Sequence, residues 1–153
     1  MYMAKYIIKK LNFWYYGVMC TAVLVAALMY FLLQKGCFVP LDVNSPAGMA
    51  VQYSVILDTL LTLPLGLWLF KRRCRRICAI EDEEQRLSEY GKYAVRRILT
   101  VGNSLVFGMA AFYLLGGFQS MLWLAAVAAI GLYFCKPTER KMQLELLPYD
   151  DSY

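Results

Sequence analysis

The chain has 153 residues, 60% hydrophobic and 18% charged, with 16 basic residues against 11 acidic and no histidine. A soluble domain carries about 25% charged residues, so this composition points away from a soluble globular protein, and the length suits one domain. The lack of histidine excludes imidazole general-base chemistry, histidine zinc ligands and histidine-held haem.

The charges are segregated. Residues 11–34 are 24 positions without a charge, residues 43–70 are 28 with only Asp58 charged, and residues 98–135 are 38 with none. A helix needs roughly 20 apolar residues to cross about 30 Å of hydrocarbon. The first two runs hold one span each and the third holds two. It divides at Gly116-Gly117-Phe118-Gln119-Ser120, where paired glycines and polar residues favour a tight turn. Each run is far longer than a barrel strand, and a lone span must satisfy its own backbone hydrogen bonds, so helices are expected. The predicted fold is all-α: an integral membrane four-helix bundle with a cytoplasmic helical extension between spans two and three. The spans fall at about residues 12–34, 47–70, 98–115 and 119–135, with a loop at 71–97 and a tail at 136–153, all in one domain.

Span one resembles the apolar stretch of a signal peptide, but its uncharged run exceeds a usual h-region and no A-x-A site follows. In "LLQKGCF" a lysine before the glycine departs from a lipoprotein cleavage pattern. Span one is expected to stay attached.

Basic residues orient the spans. Lys5, Lys9 and Lys10 precede span one, nine lysines and arginines fill residues 71–97, and Lys136, Arg140 and Lys141 follow span four. Only Lys35 lies on the opposite side. The positive-inside rule then places both termini and the long loop in the cytoplasm.

The loop opens with "KRRCRR". Lys71, Arg72, Arg73, Arg75 and Arg76 are expected to meet anionic lipid head groups, each contributing about 1 kcal/mol near the surface. The same residues enforce topology. From about Ile80, the positions Leu87, Tyr90, Ala94 and Ile98 follow helical spacing, with acids at the start and bases at the end as the helix dipole favours. A helix continuing into span three is predicted, with Gly91 its weak point, pairing with an extension of span two as an antiparallel hairpin. Its stripe is expected to pack on the neighbouring helix of the same chain. In the tail, Thr138 is placed to begin a short helix that lies on the membrane or docks on the loop helix through Met142, Leu144, Leu146 and Leu147. "PYDDSY" is expected to be disordered.

Asp58 falls near the middle of span two, where a charged residue facing lipid costs roughly 2.5–3.5 kcal/mol on insertion scales. It is therefore expected to turn inward. Ser54 and Thr62 lie one turn away on either side, Gly66 continues the stripe, and Pro64 frees the carbonyl of Leu60. Ordering the spans by depth puts Tyr113 near the level of Asp58, with Asn103 and Ser104 closer to Thr62. These residues form the candidate intramembrane polar site. Two readings of Asp58 stay open: an ion or proton site, or a hydrogen-bonded contact between spans.

No nucleotide-binding loop and no Ser-x-Gly nucleophile motif occurs. The consecutive acids at 81–84 would be spread around a helix rather than clustered. Cys74 and Cys78, four apart, share a helix face and do not form a C-x-x-C pair. No cofactor, metal or catalytic group is expected, and the charge pattern calls for no nucleic acid.

The segment "FCKPTE" after the last span resembles small four-span inner-membrane proteins of Bacteroidota, a likeness that runs along most of the chain and implies no activity. Four short spans with one buried acid are also similar to small multidrug resistance transporters. Those carry the acid in the first span and have short loops, unlike this chain. The expected role is a non-enzymatic accessory or scaffold subunit of a larger complex in a bacterial inner membrane, with a protein partner or further copies of the chain beside it. The alternative is a small oligomeric transporter or channel using Asp58.

Overall fold

The computed structural model describes residues 2–146, with side chains from Ala4 onward. Five helices follow in order: α1 (Tyr2–Gln34), α2 (Pro46–Cys78), α3 (Glu83–Leu114), α4 (Gln119–Phe134) and α5 (Glu139–Leu146). Three are long and apolar enough to cross a membrane: Ala4–Gln34, Pro46–Cys78 and Glu83–Leu114. At about 1.5 Å per residue, each of the three is roughly 50 Å long, well beyond the thickness of a hydrocarbon core. The expectation for "PYDDSY" and for Leu147 concerns positions outside the described residues.

Local chemistry sets the boundaries. Ser45 caps α2 by accepting the Gly48 N–H at 3.0 Å, with Pro46 at the first helical position, where a missing N–H costs nothing. Asp82 caps α3 by accepting from the Glu84 N–H at 3.2 Å, and Glu83 and Glu84 occupy the first turn. Gly116 and Gly117 take φ of +64° and +87°, the left-handed region that glycine enters without Cβ strain. That turn separates α3 from α4 at the predicted place. Between α4 and α5 the chain bends by 77°. Pro137 falls in this bend and cannot continue a helix.

Both α2 and α3 run further than hydropathy implies. α2 passes through Pro64 and continues across the arginine cluster to Cys78. α3 starts at Glu83 and crosses Gly91 without a break. The 71–97 segment is thus the tip of one helical hairpin, closed by a short turn at residues 79–82. We call this the basic end.

α3 is the axis of the fold: α1, α2 and α4 all pack chiefly on it. Val101, Ile98 and Ser104 are at most 1% exposed. Small residues allow the close approach, as in other helix pairs lacking a strong hydrophobic drive. A Cβ at Gly91 would sit 3.2 Å from Ile7, one at Gly102 would overlap the Val18 side chain, and one at Gly108 would sit 3.1 Å from the Cβ of Ala125. Across from them, α4 presents Met121, Ala125, Ala128 and Leu132, all buried. Its other faces carry exposed Leu122, Trp123, Val127, Ile130 and Tyr133, so α4 has one packed face and a broad apolar surface.

The α1–α3 contact should be intolerant at Gly102. Gly102→Ala sets a methyl against Val18, whose branched side chain has little rotamer freedom. Overpacking of this kind costs about 1–3 kcal/mol. Thermal unfolding in detergent should show that loss, with most of it recovered when Val18→Ala is added. Equal unfolding of Gly102→Ala and the parent chain would contradict the close packing.

Candidate functional site

Register along the hairpin follows from its turn. With four residues between the helices, positions nearly equidistant from the turn face each other. Phe70 meets Tyr90 with ring centroids 6.0 Å apart. Further along, Asp58 meets Ser104. The Ser104 hydroxyl donates to Asp58 Oδ2 at 2.7 Å, and the Thr62 hydroxyl donates to Asp58 Oδ1 at 3.1 Å. Ser104 is 1% exposed, while Asp58 is half-buried. Each carboxylate oxygen therefore accepts a hydroxyl, one within α2 and one across to α3.

The remaining members of the predicted polar site lie elsewhere. Ser54 is exposed and donates to the carbonyl of Ala50 at 2.7 Å. Asn103 is exposed on α3, one position around from Ser104. Tyr113 lies nine positions beyond Ser104, about 13 Å along the helix at 1.5 Å per residue, with its ring edge against Tyr30 of α1 at 6.5 Å. Tyr113 lies one residue from the outer end of α3 at Leu114, whereas Asp58 lies twelve from the start of α2 at Pro46, so equal depth points to Ser104 and not to Tyr113. Counting outward from the turn gives the correct partner. Gly66 does face α3, with the nearest atom to an added Cβ being the Thr100 methyl at 3.7 Å.

A second polar centre sits at the basic end. Arg97 is only 7% exposed. Its guanidinium lies over the Phe70 ring at 3.7 Å and donates through Nη1 to Glu145 Oε1 at 3.2 Å. The Tyr90 hydroxyl donates to Glu145 Oε2 at 2.6 Å. Cys78 Sγ also contacts the Glu145 carbonyl at 3.5 Å. The Glu145 side chain thus ties α5 to α3, its backbone carbonyl meets Cys78 of α2, and Met142 is buried beside them. The tail docks on the hairpin through Met142 and Leu146, which pack with the predicted stripe of Leu87, Tyr90 and Ala94, while Leu144 faces outward.

This environment keeps nearby groups neutral. Burial pushes the Cys74 thiol up to about 12, the Glu145 carboxylate adds to the effect and Arg97 opposes it. Tyr90 is also raised, first by burial, then by the charge of Glu145 and the hydrogen bond to it. Cys74 is therefore a buried protonated thiol and not a nucleophile. Cys20 and Cys37 are exposed thiols. Among the described residues no group of three or more His, Cys, Asp or Glu could hold a metal ion.

Sequence reasoning missed Arg97 and Glu145. Arg97 was one of nine basic loop residues, yet it falls three after Ala94 on the buried stripe, which was the available signal. The other cluster residues, Lys71, Arg72, Arg73, Arg75 and Arg76, are all exposed, while Cys74 and Ile77 between and after them turn inward. Arg72 stacks over Trp68 at 5.4 Å and Arg73 over Tyr93 at 5.5 Å.

If Ser104 is the cross-helix partner of Asp58, Ser104→Ala should lower stability by about 0.6 kcal/mol and by no more than about 1.7, the span of measured interhelical hydrogen bonds. Asn103→Ala and Tyr113→Phe should each change it less. Chemical unfolding in detergent reads the difference, and a Tyr113→Phe loss exceeding that of Ser104→Ala would contradict the pairing.

Comparison with protein families, with curated proteins and with solved structures finds no match to this chain.

Proposed function

We propose that the chain is a four-span protein of a bacterial inner membrane, with both termini and the basic end in the cytoplasm, serving as a non-enzymatic accessory or scaffold subunit of a larger membrane complex. The asymmetry of lysine and arginine supports the orientation. α4, with 16 residues, is the fourth span in this reading, and it returns the chain to the basic end at Lys136. Three helices extending past the hydrocarbon would raise a helical platform from the membrane, built from the α2–α3 tip, the start of α1 and the docked α5.

One observation carries the scaffold reading. Both oxygens of Asp58 accept hydroxyls from Thr62 and Ser104, so the one acid within the spans is committed to joining helices. The same logic holds at the platform, where Glu145 is committed to Arg97 and Tyr90. A transport acid must instead exchange its partner for a proton or ion during each cycle. The platform surface is rich in exposed charge: Arg72, Arg76, Glu83, Glu84 and Lys92 all face outward. Such a surface suits a soluble face of a partner subunit.

Reconstitution into proteoliposomes separates the two roles. The scaffold reading expects no proton-coupled ion flux above protein-free vesicles, for either the natural chain or Asp58→Asn, and migration within a larger assembly after mild extraction from the native membrane. Flux that is present in the natural chain and lost in Asp58→Asn would overturn it.

A further inference from the structure

Between α2 and α3, beside the Arg97 centre, lies an open groove of about 310 Å³. It runs from Thr62 and Thr100 to Arg73 and Arg96. From residue 62 to residue 73 this is about 16 Å along the helix axis, comparable to the reach of a fatty-acyl tail. Its two ends differ in chemistry. Leu65 and Leu69 line the apolar part, while Arg73, Arg96 and Arg97 line the other end.

The charges at that end are unbalanced. Arg73 of α2 and Arg96 of α3 lean on the same ring, with guanidinium carbons 5.5 and 5.8 Å from the Tyr93 centroid. Two like charges are thus held at one aromatic residue. Among the described residues neither has a carboxylate within ion-pair distance. Arg97 adds a third guanidinium, and among the described residues its carboxylate partner is Glu145 alone. The Nε of Arg97 is buried and has no hydrogen-bond partner among the described residues. A buried donor left unpaired is unfavourable, the more so on a charged group, so the site is short of an anionic acceptor.

We propose that this groove binds one anionic phospholipid, its phosphate between Arg73 and Arg96 and within reach of Arg97, and an acyl chain along Leu65 and Leu69. Arginine suits this task, since its planar fork matches phosphate oxygens. A free phosphate would satisfy the arginines but leave the apolar half of the groove uncovered. A zwitterionic lipid would cover the apolar half but bring its own cation to three guanidinium groups. The site also divides the arginine cluster. Arg73 belongs to the groove together with Arg96 and Arg97 of the other helix, whereas Lys71, Arg72 and Arg75 line a separate surface hollow beside Trp68. The proposal rests on α2 and α3 being membrane spans and is independent of the accessory role.

Native mass spectrometry of the detergent-purified chain, titrated with phosphatidylglycerol or phosphatidylcholine, tests it. The natural chain should retain one phosphatidylglycerol and prefer it over phosphatidylcholine at least tenfold, and millimolar inorganic phosphate should not displace it. The pair Arg73→Gln and Arg96→Gln should weaken binding about 30-fold, the change that two basic residues at about 1 kcal/mol each would give. Lys71→Gln with Arg72→Gln removes the same charge and should leave affinity within threefold. Equal weakening by the two pairs, no lipid preference in the natural chain, or displacement by phosphate would overturn the groove. A chain that stays soluble and monomeric without detergent would instead overturn the membrane reading.

Discussion

A guanidinium buried at the basic end of an otherwise apolar bundle is the constraint around which that end is organised. Removing a charge from water costs several kcal/mol even after the surroundings relax. Arg97 meets that cost through one carboxylate and one aromatic face. Glu145 supplies the carboxylate from α5, and Phe70 supplies the ring from α2. Tyr90 occupies the second oxygen of Glu145. Three helices far apart in the chain are therefore held by one charge that cannot be left alone. The docking of α5 and the closure of the hairpin tip follow from it, while burial keeps the Cys74 thiol protonated against the pull of the same charge.

Further along, α3 governs the packing by being small where neighbours press against it. Gly91 and Gly102 admit α1, Gly108 admits α4, and Ser104 gives α2 a hydrogen bond through Asp58. Interhelical hydrogen bonds are modest in energy, so Asp58 sets register more than it adds stability. The two polar centres lie on the same helix pair and act in the same sense. Each fixes α2 against α3, one within the apolar region and one at the basic end.

Helix identity and most of the turn chemistry were legible in the sequence. The uncharged runs marked the apolar helices, and the Gly-Gly turn, the helix beginning near Ile80 and the stripe through Leu87, Tyr90 and Ala94 all have counterparts in the fold. Hydropathy marked only the apolar parts of α2 and α3, and their continuation into a hairpin through residues 71–97 was legible from helical spacing and charge placement instead. Tyr113, one residue from the outer end of α3, was set too near Asp58, which lies twelve residues into α2, and Ser104 was set too deep. α4 was legible only as apolar. Its packed face is written in size, through Ala125 and Ala128, and a hydrophobicity pattern cannot separate that face from the others. Arg97 and Glu145 were illegible for a different reason: their partnership spans 48 positions, and each looks like an ordinary surface charge in its own segment.

Among the described residues, the ionic groups inside the fold hold helices together, and Arg73 and Arg96, which lack a carboxylate partner there, lie at the α2–α3 groove. This division suits the scaffold role proposed above. A double-mutant cycle at Arg97 and Glu145, read by unfolding in detergent, tests it most directly. Glu145→Leu alone should cost about 3 kcal/mol by stranding the guanidinium, while the Arg97→Leu, Glu145→Leu pair should recover most of that loss. Losses that simply add would show that the two groups do not depend on each other, and would contradict the account.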